Sequence, residues 1–274
     1  MRIRNLASTI GIFVVPAVLI MVVVFDIPLI LMLKRSFTDP AVGWSNYVEL
    51  VTDSTYVRIL VVTARVAALT TLFSALVGYP LAYCMTRLKG RTKTIALAAV
   101  VLPFWISILV RTYAWTVVLG RNGPLNDVLS SLGFPKTGIL YTESGVLVGT
   151  VNVLLPFFVL PVYAAMLRVD ESVLSAATVL GGSRRDVFWR VFVPITRPAA
   201  VSAGLLVFIL SFGFYVTPAV LGGGRIQMLA TLLDALVNRF VDWGLASAIC
   251  ASLLVLTLAL YAASQRLVEE SEPK

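Results

Sequence analysis

The chain of 274 residues contains no histidine and only two cysteines, Cys84 and Cys250. The missing histidine excludes a His-bearing catalytic triad and removes the commonest metal ligand. Each cysteine lies inside an apolar run, and two isolated thiols build no disulfide framework. The chain also lacks the Gly-x-x-x-x-Gly-Lys-Ser/Thr pattern of a phosphate-binding loop. We therefore expect no catalytic residue, no metal site and no cofactor.

Charged residues are also scarce. They make up 13% of the chain, whereas 59% of the residues are hydrophobic and the mean hydropathy is +0.93. Soluble domains are about 45–50% apolar. The excess occurs in runs of about 20 residues or more, which is the length needed to cross about 30 Å of hydrocarbon. The sequence thus predicts an all-α membrane protein with six transmembrane helices, at about 10–33, 61–85, 95–120, 144–166, 198–218 and 243–264.

The net charge of +8 does not indicate nucleic-acid binding, because the basic residues cluster beside the apolar runs. The loops 86–93 and 167–197, together with the segments 1–9 and 265–274, hold 13 basic side chains in 58 residues. The three other loops hold 7 in 74 residues. Basic residues concentrate on the cytoplasmic side of membrane proteins. We expect both termini to be cytoplasmic and the first apolar run to be a retained anchor.

Three charged residues fall within predicted spans, where ionisable groups are costly. Arg65 lies near the outer end of its span and can extend its guanidinium to the membrane surface. Arg111 lies deeper, and two interpretations stay open: it holds backbone carbonyls or a carboxylate, or it lines a solute path. Asp26, near the outer end of the first span, either meets a cationic solute or pairs with an arginine.

Four prolines interrupt the predicted spans two to four: Pro80, Pro103, Pro156 and Pro161. A proline removes one intrahelical hydrogen bond and kinks the helix. In a bilayer the freed carbonyl must then face protein or a water-lined cavity. The glycine-rich stretch 211–224 at the end of span five allows a sharp turn. Together these features indicate irregular backbone around a pathway.

The loop between spans four and five is amphipathic and folded rather than short. Asp170 or Ser172 can cap a first helix, Gly181 and Gly182 can end it, and Ser183 can start a second helix. Two interpretations remain. The segment is an interfacial helix whose arginines contact anionic headgroups, or it is a rigid element that docks in a groove of a cytoplasmic partner.

This loop resembles the EAA loop of the permease subunits of binding-protein-dependent ABC importers. The family pattern is Glu-Ala-Ala, three residues, Gly, nine residues and Ile-x-Leu-Pro. Here Ser175, Ala176 and Ala177 take the first places, Gly181 takes the glycine and Pro194 ends the pattern, with serine in place of glutamate. The stretches "LPFWISILVRTYAWTVVLGRNGPLNDVLSSLG" and "FYVTPAVLGGG" resemble the spermidine/putrescine branch. With them, the similarity covers about 50–260.

The resemblance implies one type I importer permease domain over residues 1–274, with a cytoplasmic coupling helix between helices four and five. It also implies a second permease subunit, two cytoplasmic ATPase subunits, a periplasmic substrate-binding protein and a place in the bacterial inner membrane. The polyamine branch favours a paralogue as the second permease. The implied solute is a polyamine, or else another small cationic or zwitterionic compound such as an amino-acid-like one.

A secondary transporter or channel without ATP is the rival class. It predicts an inverted repeat and more buried ionisable groups, and the sequence shows neither. A membrane enzyme is the third class, and the sequence offers no nucleophile with a base.

Two sets of candidate residues follow. The ATPase-coupling set is Ser175, Ala176, Ala177, Gly181, Gly182, Arg184, Arg185, Phe188 and Pro194. The substrate-path set is Asp26, Trp105, Arg111, Tyr113, Trp115, Phe214 and Tyr215. Aromatic faces attract ammonium groups by about 0.5–2 kcal/mol each. If Arg111 faces the path, an anionic or zwitterionic solute becomes more attractive, unless the partner permease carries acids.

Overall fold

The computed structural model describes residues 14–16 and 18–269, and these form helices and connecting loops without a strand. The start of the predicted first span, residues 10–13, lies outside the described residues. The helices are α1 (Val14–Thr38, with a π-helical turn at Val22–Asp26), α2 (Ser45–Thr52), α3 (Ser54–Arg87), α4 (Gly90–Val101, followed by a 3₁₀ turn at Leu102–Trp105), α5 (Ile108–Leu119), α6 (Pro124–Ser131), α7 (Glu143–Met166), α8 (Glu171–Val179), α9 (Arg184–Val187, followed by a π-helical turn at Phe188–Phe192), α10 (Val193–Phe212), α11 (Val216–Leu221), α12 (Leu229–Ala235, followed by a π-helical turn at Leu236–Phe240) and α13 (Trp243–Glu269).

Five helical segments within the described ranges are long and apolar enough to cross a membrane. They are α1, α3, α7, the α9–α10 rod and α13. A sixth arises if α4 and the α5–α6 segment are counted as one bent span. Each of the six overlaps one predicted span. The predicted bounds 198–218 of the fifth are wrong, because its helical rod runs over Arg184–Phe212. With 34 residues, α3 measures about 51 Å at 1.5 Å per residue, which exceeds the roughly 30 Å of hydrocarbon. Part of α3 therefore projects beyond the apolar layer.

The third predicted span is sharply bent. The segments Gly90–Trp105 and Ile108–Ser131 meet at 102°. The bend follows Pro103, and Ile106 leaves the helical conformation with φ −90° and ψ 128°. The expected break at this proline is confirmed, and a straight helix over 95–120 is not formed.

The expected interruptions at Pro80, Pro156 and Pro161 are wrong, because α3 and α7 continue through all three prolines. A proline costs one hydrogen bond, and neighbouring helices can compensate for that loss where they pack closely. Such packing is present at Gly78, where an added Cβ would lie 2.7 Å from Phe158. The helices α3 and α7 are therefore in close contact near Pro80 and Pro156.

The described residues divide into two compact units. The first contains 14–57 and 233–256. In it α2 packs on the end of α1, because the buried Asn46 amide donates to the carbonyl oxygens of Ser36 at 3.0 Å and Asp39 at 2.7 Å. The rings of Phe37, Trp44 and Tyr47 form a small cluster beside this contact.

The second unit contains 58–232 and 257–269, and α7 runs through its core. Val146, Val159 and Val162 on α7 are completely buried. Two clusters surround this helix, one joining it to α3 and α10 and the other joining it to α5 and α11. Through these clusters, both the segment that follows α7 and the bend that follows α4 pack against α7.

Replacing Gly149 with leucine tests the close contact between α7 and α11. An added Cβ at Gly149 would lie 2.4 Å from Leu221 Cδ1 and 2.6 Å from Thr217 Cγ2, and both neighbours are fully buried. We expect overpacking to lower the stability by about 1–3 kcal/mol, read as a lower thermal midpoint in detergent. Gly138→Leu is the control, since nothing lies within 4 Å of that position. Equal midpoints for both variants would contradict the packing described here.

Candidate functional site

The segment after α7 begins with a capped helix. Asp170 has an extended backbone, and its carboxylate accepts a hydrogen bond of 2.8 Å from the N–H of Ser172. Hydrogen bonds from the backbone and the side chain of Ser172 lower the pKa of the Asp170 carboxyl. The carboxylate therefore stays ionised at neutral pH. Its negative charge stabilises the N-terminus of α8, which carries partial positive charge. Of the two predicted caps, Asp170 is the one used.

The turn between α8 and α9 depends on the two glycines. Gly181 has a φ of +90°, which favours glycine. The Gly182 N–H donates to the Ala177 carbonyl oxygen at 3.1 Å, and a Cβ at Gly182 would lie 2.8 Å from that oxygen. Ser183 then caps α9, because its hydroxyl oxygen accepts from the Asp186 N–H at 3.2 Å. The predicted helix–turn–helix is confirmed.

One side of this segment is fixed to the bundle. Leu174 packs against the core cluster that contains α7. Phe188 is half-buried, and its ring centroid lies 5.0 Å from Tyr83 on α3 and 5.8 Å from Phe192. The predicted coupling residue Phe188 thus faces the spans. It joins the segment mechanically to α3.

The opposite side exposes apolar surface. Val179 and Leu180 are 87% and 88% exposed at the end of α8. Val179 and Leu180 were not among the predicted coupling residues. Of the predicted ones besides Phe188, Ala177 and Gly182 are half-buried, and those on the surface are Ser175, Ala176, Gly181, Arg184, Arg185 and Pro194. Adjacent exposed apolar residues at a charged turn form a candidate interaction site. The two faces of the segment could therefore connect a partner on one side to the spans on the other.

A second candidate region is a cavity of about 740 Å³ at the bend after α4. Its walls come from the bend itself, from α7 and from the end of α10 near Gly213. Three predicted path residues line it: Trp105, Arg111 and Phe214. Sequence reasoning missed Ser107 and Phe157, which also line it. Ser107 closely follows Pro103, and Phe157 follows Pro156. These two prolines were the sequence signal that could have identified both residues.

Arg111 has few partners in this cavity. Its Nη2 donates to the Ile106 carbonyl oxygen at 3.4 Å, and its Nε is buried with no hydrogen-bond partner. No acidic residue lines the cavity, and no ion pair of Arg111 occurs among residues 14–16 and 18–269. The side chain therefore contacts a backbone carbonyl and also lines the cavity. That this cavity is part of a solute path stays a prediction.

The other predicted path residues lie elsewhere. Tyr113 is 59% exposed and Trp115 packs on the cluster with Leu119 and Val146, away from the cavity lining. Tyr215 does not line the cavity, and Asp26 is an exposed residue of the other unit.

Arg65, expected to reach the membrane surface, forms an ion pair with Glu143 at the start of α7. Both side chains are substantially exposed, so the pair contributes little to stability.

Comparison with known proteins identifies the chain's relatives. A family model described as the inner membrane component of binding-protein-dependent transport systems matches residues 74–271. The chain belongs to this family. It is 30% identical over 240 residues to the spermidine/putrescine transport system permease protein PotB of Escherichia coli (strain K12), covering 86% of this chain and 87% of that protein. The corresponding PotB of Haemophilus influenzae is 33% identical over 219 residues, covering 78% and 76%.

Solved structures agree on the fold. A bacterial alginate ABC transporter, crystallised with its alginate-bound periplasmic protein, matches with a TM-score of 0.77 and covers 96% of both chains at 17% identity. The MetNI methionine ABC transporter matches with a TM-score of 0.60, covering 79% of this chain and 96% of that one at 16% identity. The chain is therefore a multi-pass membrane protein with the type I importer permease fold.

Proposed function

We propose that the chain is the permease subunit of an ABC importer that carries a polyamine across the bacterial inner membrane. The observation that carries this proposal is the 30–33% identity to the PotB permeases over 78–86% of the chain. ATP is hydrolysed on separate subunits, and the permease supplies the path. The similarity extends over the bend, the cavity and the α8–α9 segment together.

Two ATPase subunits, a second permease that is a paralogue and a periplasmic binding protein complete the complex. Both termini are cytoplasmic, because the basic loops 86–93 and 167–197 then face the cytoplasm. In this orientation α8 and α9 lie on the ATPase side. The exposed Val179 and Leu180 supply the docking surface there.

Transport follows from motion of the docked segment. ATP binding closes the ATPase pair, and α8 moves with the ATPase that holds it. The ring contact between Phe188 and Tyr83 carries that displacement to α3, and the π-helical turn after α9 carries it to α10. The path opens outward, the binding protein releases solute, and hydrolysis reverses the motion. The two permease conformations must bind the ATPase states with different affinity.

Uptake by the reconstituted complex tests this function. Proteoliposomes that contain both permeases and the ATPase, supplied with spermidine-loaded binding protein outside and ATP inside, should accumulate spermidine. A nonhydrolysable ATP analogue should stop the accumulation. Uptake that continues without ATP would favour the rival secondary transporter. ATP-driven uptake of an amino acid but not of a polyamine would retain the importer and overturn the substrate.

A further inference from the structure

The cavity at the bend combines a cation with apolar walls. Among the residues that the structure describes, the Arg111 Nε has no hydrogen-bond partner and no carboxylate lines the cavity. A charged group surrounded by apolar walls is costly unless an opposite charge approaches it. Phe104, Phe157 and Phe214 form much of the wall, and the hydrogen bond from Arg111 Nη2 to the Ile106 carbonyl oxygen is long, at 3.4 Å.

The same cavity faces the beginning of α5. Ser107 and Ile108 line it, and Ser107 occupies the cap position without a side-chain hydrogen bond to the helix. The first N–H groups of a helix have no intrahelical acceptor and carry partial positive charge. The helix begins one turn before Arg111, so both sources of positive potential act on one space.

We propose that this cavity binds a carboxylate group, held by Arg111 and the first turn of α5. A guanidinium is planar and matches the two oxygens of a carboxylate, and Arg111 lines this cavity without an ion pair to any described residue. The aromatic wall accommodates the aliphatic part of the group that carries the carboxylate. The site rests on the proposed importer function, which places the cavity on a transport path, and the polyamine solute is retained only if the facing permease supplies the carboxylate.

The carboxylate has two possible sources with the same chemistry. A solute that bears a carboxylate would enter the cavity during transport. Alternatively, the facing permease inserts an acidic side chain, and the pair then removes the positive potential that repels an ammonium group. In both cases the site of this chain is incomplete until the acid arrives.

Binding and pairing assays on the complete complex in nanodiscs separate the sources, and they need neither ATP nor the binding protein. The probes are radiolabelled 4-aminobutanoate and putrescine, which share a four-carbon backbone and differ in one charged end. The variants are Arg111→Gln and Arg111→Lys. The control is Arg65→Gln, since Arg65 pairs with Glu143 outside the cavity.

If the solute supplies the group, R111Q should weaken 4-aminobutanoate binding about tenfold or more, while putrescine binding and the R65Q control stay unchanged. If the partner supplies it, R111Q should instead accelerate dissociation of the two permeases about tenfold, and R111K should restore part of the pairing. An R111Q complex with unchanged binding and unchanged pairing overturns the proposal. Absence of ATP-driven uptake by the wild-type complex would overturn the importer function independently of this site.

Discussion

A double variant with glutamate at Val179 and Leu180 should lose ATP-driven uptake almost completely. Both side chains are nearly nine-tenths exposed, so the replacements remove no packing within the described chain. Burying one such side chain against a partner stabilises by about 1.5–3 kcal/mol. Losing two of them should weaken ATPase binding at least about a hundredfold. Co-purification of the ATPase with the permease pair and uptake in proteoliposomes are the measurements.

Leu132→Glu provides the matched control for this variant. Leu132 is 68% exposed beside α6, on the side of the chain where no ATPase contact is proposed. The control should retain the ATPase and the uptake of the wild type. A double variant that keeps its ATPase would show that α8 is not the docking helix.

Phe188→Ala should produce the second large effect, by breaking transmission while docking persists. Its ring lies against Tyr83 and Phe192, and both contacts join the docked segment to the spans. Truncating a core phenylalanine costs about 3–5 kcal/mol, and we expect about half of that at this half-buried position. Uptake should fall about tenfold or more, whereas the ATPase should still co-purify and hydrolyse ATP.

Phe188→Leu and Phe134→Ala control for volume and for loss of an aromatic ring. The leucine keeps much of the apolar contact and should restore most of the uptake. Phe134 is 59% exposed after α6, and its truncation should change little. If Phe188→Ala lost the ATPase as the glutamate variant does, the segment would act as one docking surface without a separate transmission contact.

The α8–α9 segment was largely predictable from the sequence, because its caps and its turn are formed by residues that are close together in the chain. Asp170, Gly181 and Ser183 act on backbone groups two or three residues away. Caps and turns of this kind depend on residue type and spacing, which the sequence displays directly. The sequence did not show which side of the α8–α9 segment packs on the spans and which side is exposed. Phe188 was grouped with the docking residues, whereas its partner Tyr83 lies 105 residues earlier in the chain.

The path residues were predicted less well, because lining a cavity depends on contacts between distant elements. Trp105, Arg111 and Phe214 line the cavity, and Tyr113 and Trp115 do not. The sequence offered aromatic residues in apolar runs, a pattern that is the same for lining, packing and lipid-facing positions. The bend near Pro103 separates these roles, since it turns Trp105 and Arg111 toward one space.

The sequence alone determined the membrane class, the six apolar segments and the capped helix–turn–helix, because run length, charge placement and cap chemistry act locally along the chain. Only the tertiary structure decided which prolines break a helix. The bend follows Pro103, whereas Pro156 lies inside the continuous and largely buried helix α7. The free energy of a proline kink competes with packing against neighbouring helices, and that packing exists only after the chain has folded. The unpaired Arg111 in its cavity is likewise a result of packing.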